Sequence, residues 1–502
     1  MRGGARTLVL AALLPALARG AQVEVFGELR ASGVALLGTA SQFGPTDAPG
    51  PCGPTPPADG GAYLSGTAVL VASAPHFRHQ VGLSAGYYSI VCTDSMRRPV
   101  GGLDYRGRHQ LGPRTALTAS LRASLDMFDR TLDLRIGTVV PEQTLQQPDL
   151  VAGTLFLLGS SELELEHLLS RRYGLRAGLS MQTLQMFADV ARLSEFTTLG
   201  PMTAAQAQLT GFRLGPAHRL ELTLRYRVSH FHPVTLARDK PPWAVPPAHD
   251  ASARLGWERS LDARWTLRAE AGLALAHQDH LCLSGSLTGS CSIDELALGV
   301  RGADRPPLGE LPLGARTTGI FLGEAAVRRW DRRWAVEAGF TRGYEPNPWA
   351  GALDLVNRLQ LAMVLRPNPD LQVRGNALVG HHGHTSPARI APALQAEHLP
   401  FTAPQNRTMI MFQGALAVDW AAWGSVAWFV QADAQVFAIR GEAVLDRDSE
   451  GTARSVRQVG AFPQEGEVFQ TLWRLGLQCG IRLQRQESPR EQGLLQAARA
   501  IP

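Results

Sequence analysis

The chain of 502 residues contains a single lysine, Lys240, five cysteines and only 7% aromatic residues, and it has no long uncharged apolar run. Each shortage excludes something. Crossing a bilayer as a helix takes about 20 consecutive apolar residues. The clearest apolar run, Leu8 to Leu17, is shorter than that and is interrupted by Pro15, so a helical membrane protein is excluded. The formal net charge of +5 rests on arginine, which is scattered along the chain. Nucleic-acid binding would require those charges in a patch, and none is formed. The cysteines never take CxxC spacing, which removes the common redox and zinc motifs. No GxSxG elbow, HExxH helix or phosphate-binding loop is read in the chain, and the sequence is read as a non-enzyme without a cofactor.

What is present begins with a leader. Arg2 and Arg6 precede the Leu8 to Leu17 run, and Ala16, Ala18, Gly20 and Ala21 supply small residues after it. That order of charge, apolar run and cleavage site is the order of a secretory signal. Residues 1–20 are therefore expected to be removed, and the compartment reached is one where disulfides persist. Cys52 and Cys92 fall in the first two long connections and Cys282 and Cys291 in a later one. Two loop disulfides are predicted from them, with Cys479 left over.

From residue 21 to 485 no linker or change of composition divides the chain, which favours one long domain, followed by a polar tail over 486–502. Within the domain, apolar and polar residues alternate. Leu117, Ala119, Leu121, Ala123, Leu125 and Met127 interleave with Thr118, Ser120, Arg122, Ser124 and Asp126. Leu220 to Val228, Trp265 to Leu273, Leu371 to Val379 and Leu475 to Leu483 repeat the pattern, each sending its charges to one side. Period two describes strands with one apolar and one wet face. A membrane-spanning strand needs about 9–11 residues, whereas soluble sandwiches use strands of about five or six. An arginine facing lipid at mid-membrane costs about 2–4 kcal/mol, so the charged face must meet water.

Connections alternate between short turns, such as Gly112-Pro113-Arg114 and Arg171-Arg172, and long segments rich in Pro, Gly, Asp and His. Barrels in the outer membrane have short periplasmic turns, long external loops and an even strand number. The prediction is an all-β, transmembrane antiparallel barrel of about 18 strands, within the range 16–20, with both termini periplasmic. Trp265, Trp330, Trp334, Trp423, Trp428 and Trp473 sit near predicted strand ends and periplasmic boundaries, where tryptophan favours the headgroup level.

On the leader, the alternating strands, the unequal connections and the Asp-x-Arg-Trp turns at Asp262 and Asp331, the chain resembles bacterial outer-membrane β-barrel proteins of the porin-like kind over residues 22–485. The resemblance implies a Gram-negative outer membrane, with lipid around the barrel and a barrel-assembly machinery that inserts it. Such proteins usually close on an aromatic residue at the end of the last strand. Here the chain continues past Gln484 to Pro502, and the first strand begins too early to leave room for an amino-terminal plug.

The function expected is a channel passing hydrophilic solutes, or exporting a polymer such as polysaccharide, because barrels of this size enclose water. The alternative is a scaffold or surface-interaction component with ligand-binding outer loops, the segment from His277 to Arg316 being the longest. Candidate lumen residues are Glu24, Glu28, Arg30, Arg122, Glu162, Glu164, Glu166, Arg176, Glu221, Arg225, Arg227, Arg268, Glu270, Glu337, Arg374, Arg474 and Arg482. They could form selectivity rings or pair with one another, and sequence leaves both readings open. No metal site is predicted. His381, His382 and His384 are the densest imidazole cluster, and a solvated loop of histidines is favoured over ligation.

Overall fold

A computed structural model describes residues 22–38, 58–90, 98–127, 155–187, 202–231, 247–262, 264–278, 316–331, 333–347, 352–368, 370–384, 405–423, 426–443, 446–447, 453–454 and 466–484. These residues form strands and turns. In chain order the strands are β1 (Gln22–Gly38), β2 (Ala58–Ala74), β3 (Phe77–Ile90), β4 (Arg98–Gly112), β5 (Thr115–Met127), β6 (Leu155–Leu168) and β7 (Tyr173–Phe187). Then follow β8 (Met202–Leu214), β9 (His218–Phe231), β10 (Ala248–Ser260), β11 (Trp265–Gln278), β12 (Arg316–Trp330), β13 (Trp334–Asn347) and β14 (Ala352–Asn368). β15 (Leu371–His384), β16 (Gln405–Trp423), β17 (Val426–Ala443), a two-residue ribbon β18 (Asp446–Arg447) with β19 (Ala453–Arg454), and β20 (Gly466–Gln484) complete the series.

Eighteen of these strands form one antiparallel sheet. Each pairs with its neighbours in sequence, β17 pairs with β20, and β20 returns to β1 through Glu28↔Gln484 to Gly38↔Arg474. The sheet therefore closes and has no free edge around most of its circumference, which is the architecture of outer-membrane barrels. The strands are 13 to 19 residues long, in keeping with the lengths expected from alternation.

The alternation sets the two faces. Leu121, Leu163, Leu179, Leu224, Leu255, Leu273, Leu361, Leu416 and Leu477 are all exposed, and pleat places them on the outside. A soluble monomer rarely tolerates so large a continuous apolar surface, whereas hydrocarbon solvates it. Cys479 belongs to this outward series and is a free thiol.

At the short-turn end of the outer face, Arg329 of β12 lies 4.7 Å from the ring centre of Trp265 and 4.8 Å from that of Trp334, sandwiched between the tryptophans of two neighbouring strands. Trp420 and Trp428 stack nearby in sequence with ring centres 6.4 Å apart. The rings bring an apolar body and a polar edge to the water boundary, as a girdle requires. Trp330 falls on the opposite side of β12 from Arg329, and Trp473, although exposed on the outer face, pairs with Val436 far from the short-turn start of β17. Arg329→Ala is expected to lower the urea midpoint of the barrel by the equivalent of about 0.5–1 kcal/mol, the worth of an exposed cation–π contact. Arg329→Lys should recover part of it, and an unchanged midpoint for the alanine variant would show the sandwich to be passive.

One joint in the wall differs from the rest. β12 and β13 pair only from Trp330↔Ala335 to Gly323↔Arg342, although β12 extends to Arg316 and β13 to Asn347. Beyond that point Arg342 Nε donates to the Phe321 carbonyl at 3.1 Å. The part of β13 away from the short turns remains paired with β14, and the two pass inside β12. Tyr344 and Leu353 continue the outward series of Phe340 and Leu359, yet they are only 2% and 3% exposed. They pack with Met202 of β8, Ala248 of β10, Ala274 and Ala276 of β11 and Leu322 of β12, all inner-face residues. Arg227 of β9 donates to the Tyr344 carbonyl at 2.6 Å. Four strand spacings along a wall are about 19 Å, so this bond exists only because β13 has moved into the lumen.

Candidate functional site

The inner wall carries the charge. Antiparallel register places directly opposed residues on one face, and several opposed or diagonal neighbours here have opposite sign. Asp104 meets Arg122 across β4 and β5 at 3.2 Å and Arg106, two residues along β4, at 3.3 Å. On β6 and β7, Arg176 joins Glu164 and Glu166, each at 3.2 Å. The guanidiniums of Arg176 and Arg219 both lie over the Phe212 ring, at 5.8 and 4.5 Å, and Arg219 pairs with Glu221 at 2.6 Å. The aromatic ring thus carries the belt across β8, which supplies no ion of its own there.

The belt continues through β10 to β12. Arg268 bridges Glu270 at 3.0 Å and Glu324 at 3.5 Å, and Arg254 approaches Glu270 at 3.6 Å. Glu270 and Glu324 are register partners, so like charges would face one another without the arginine between them. Arg328 with Glu337 and Arg358 with Glu345, each at 2.9 Å, extend it to β14. Arg374 with Asp419 at 2.7 Å extends it to β16.

Asp250 is the most enclosed member. Its carboxylate accepts from Arg225 at 3.1 Å and from Arg227 at 2.5 Å, with side-chain exposures of 0, 14 and 8% respectively. It holds Arg227 in the orientation that reaches Tyr344.

Between β17 and β1 the wall is polar but closed to solvent. Arg30 Nη2 donates to Gln431 Oε1 and to Gln478 Oε1, both at 3.3 Å, and its guanidinium stands 4.0 Å from the centre of the Phe429 ring. Gln478 Nε2 donates to Ser32 Oγ at 2.5 Å, which donates onward to the Tyr63 carbonyl. Gln431, Gln478, Phe429 and Asp433 are buried. In contrast Glu162 and Glu258 are exposed, and Arg268 and Arg328 are 43 and 49% exposed on the inner face. The lumen wall therefore has a wet arc over β6 to β13 in its part toward the short turns, beyond which Asp250 and the apolar cluster are enclosed, and a packed arc over β17, β20 and β1.

Pleat places Arg30, Arg122, Glu162, Glu164, Glu166, Arg176, Glu221, Arg225, Arg227, Arg268, Glu270, Glu337 and Arg374 on the inner face. The side chains of Glu24, Glu28, Arg474, Arg482 and Trp423 lie outside the described residues, as do Cys52, Cys92, Cys282 and Cys291. The histidine cluster is not a loop: His381, His382 and His384 belong to β15, because pairing with β14 and β16 carries the strand past the expected end. Adjacent strand residues point to opposite faces, so His381 is exposed while His382 is buried, and the two are kept apart. Among the described residues no group of three His, Cys, Asp or Glu is arranged to hold a metal ion.

Sequence reading passed over Asp104, Asp250, Glu324, Glu345, Arg358 and Asp419, the counter-ions of the belt. Asp250, Ser252 and Arg254 alternate with Ala251, Ala253 and Leu255, so the signal was available for β10. Although no GxSxG elbow is expected, a GxSxG string does occur at Gly82-Leu83-Ser84-Ala85-Gly86. It lies within β3 and lacks the strand-to-helix turn that exposes a nucleophilic serine.

No protein-family model matches the sequence, and no curated protein matches it. Among solved structures the chain is similar to the apoprotein form of the FrpB iron transporter from Neisseria meningitidis, with 8% identity over 92% of this chain and 81% of that one and a TM-score of 0.40. It is similar also to the ferric yersiniabactin uptake receptor FyuA from Yersinia pestis, at 10% identity, 91 and 80% coverage and a TM-score of 0.35. For the copper transporter OprC the values are 9%, 92 and 80%, and 0.36.

Proposed function

We propose that this chain is an outer-membrane channel that passes hydrophilic solutes through a lumen narrowed on its extracellular side by the inward part of β13 and β14. The observation that carries the reading is the wet arc of charged side chains inside an apolar cylinder. A closed barrel of 18 strands is of the size that leaves an aqueous interior. Export of a hydrophilic polymer such as a polysaccharide would use the same wall. The short turns face the periplasm, and so do both chain ends.

Because the belt pairs guanidinium with carboxylate along its length, it presents no ring of one sign, and the channel should discriminate weakly between cations and anions. The test is reconstitution of the detergent-refolded protein in a planar bilayer. Discrete conductance steps with a reversal potential near zero in a salt gradient are expected. Arg268→Gln leaves Glu270 and Glu324 facing each other and should move the reversal potential toward cation preference. A linear neutral polysaccharide added to one chamber would interrupt the current if the cargo is polymeric. Folded protein that inserts and stays silent would discard the channel in favour of a scaffold.

A further inference from the structure

We propose that the joint between β12 and β13 is a lateral site for the acyl chain of an outer-leaflet lipid. Three observations lead there. Residues 316–322 of β12 and 343–347 of β13 lack a ladder between them, whereas the other neighbouring pairs of described barrel strands lack at most a rung or two at one end or at a bulge. An open sheet edge at hydrocarbon depth is costly unless protein covers it, and here the cover is the apolar side of β13 and β14 slid beneath β12. The joint therefore rests on a few side-chain bonds: Arg342 to the Phe321 carbonyl, the Tyr344 hydroxyl with Thr318 Oγ1 at 2.9 Å, and Arg227 to the Tyr344 carbonyl. Parting it breaks fewer hydrogen bonds than parting any ladder of the wall.

The second observation is what lies on either side. Outside, Phe321 is 76% exposed, the highest value of any large apolar residue described, and Leu275 beside it is exposed too. Gly319 and Gly323 flank Phe321 on that face, and a Cβ added at Gly323 would meet only the Phe340 ring, at 4.0 Å. Lipid can approach the backbone there. Inside, the cluster of Leu322, Tyr344, Leu353, Ala274, Ala276, Ala248 and Met202, with Ile320 and Leu355 against it, is apolar, on a wall otherwise lined with ions.

The third is height. Phe321 and Tyr344 lie about ten residues from the periplasmic girdle at Trp265 and Trp334, about 25 Å up a tilted strand, which is the outer edge of the apolar band. The packed apolar cluster and the lipid-facing band thus adjoin across the joint at outer-leaflet depth. In the structure the cluster is closed, with Leu322, Tyr344 and Leu353 at 5, 2 and 3% exposure; parting the joint would open it to hydrocarbon, and the occupant that fits such an opening is a lipid tail. A hydrophilic cargo would find no partner in it. This inference holds whether or not the lumen conducts.

The test places the photo-crosslinking residue p-benzoylphenylalanine at Tyr344, and separately at Leu355 so that the Tyr344 hydroxyl is kept, in protein reconstituted into vesicles of phosphatidylethanolamine and phosphatidylglycerol. The same residue at Phe321, outside, and at Phe212, buried on the inner wall, marks the two limits. Illumination and mass spectrometry should detect lipid adducts at Tyr344 and Leu355 several-fold above Phe212. Leu322→Cys with Gly343→Cys, where an added Cβ at Gly343 lies 3.7 Å from Leu322 Cδ2, should suppress them when oxidised and restore them on reduction. Adducts at Phe321 alone would show a dry joint, and equal adducts at Phe212 would show lipid throughout the lumen. Either result overturns the site.

Discussion

Asp250→Ala is expected to destabilise the folded barrel by about 3–5 kcal/mol, the cost of breaking a buried ion pair by removing one partner. The carboxylate is enclosed and serves Arg225 and Arg227 together, so its loss leaves two guanidiniums facing each other in a region nearly closed to water. It also frees Arg227 from the orientation that ties β9 to Tyr344, and the inward part of β13 should loosen with it. The measurement is the urea midpoint by tryptophan fluorescence in detergent, with the heat-modifiable mobility of the folded barrel as a control. Glu162→Ala, on the wet arc, should move the midpoint little. Replacing the whole cluster by Arg225→Met, Arg227→Met and Asp250→Leu should recover most of the loss, because no charge is then left uncompensated. A midpoint for Asp250→Ala equal to that of the parent protein would mean that water reaches this cluster freely.

A comparable loss is expected from one residue moved across the wall. Leu179 is 61% exposed on the outer face of β7, and Ser180 follows it on the inner face, opposite Glu162 of β6 and Gln206 of β8. Leu179→Arg places a guanidinium in hydrocarbon and should cost about 2–4 kcal/mol near the bilayer midplane. Ser180→Arg delivers the same charge to the water-facing side beside a carboxylate and should be nearly neutral. Refolding yield and urea midpoint in lipid vesicles separate the two. Equal losses at both positions would deny that the faces differ, and the membrane reading would fall with them.

Much of this architecture was readable in the chain. The face on which a strand residue lies depends only on its parity, so Leu121 and Arg122, or Leu222 and Glu221, could be assigned without knowing any neighbour. The strand count followed from the spacing of turns. Pairing in the belt was less accessible. Glu166 and Arg176 oppose one another across the short turn between β6 and β7, and a hairpin register could have suggested them. Arg227 and Asp250 oppose one another across a long connection, whose length sets no register. The histidines of β15 were misread for a related reason: a strand end with glycine and histidine has the composition of a loop, and only pairing with β14 and β16 extends the strand to His384.

By itself the sequence determined a closed sheet with a greasy outside and a charged inside, because alternation is local and the cost of a charge in lipid is the same on every strand. Only the tertiary structure decided that the wall slips inward at β13. Tyr344, Leu353 and Leu355 carry the same apolar pattern as residues that meet lipid, and an apolar side chain is satisfied equally by hydrocarbon or by Met202, Ala274 and Leu322. Which of the two surrounds it depends on where distant strands stand once the barrel has closed, and parity along one strand holds no record of that.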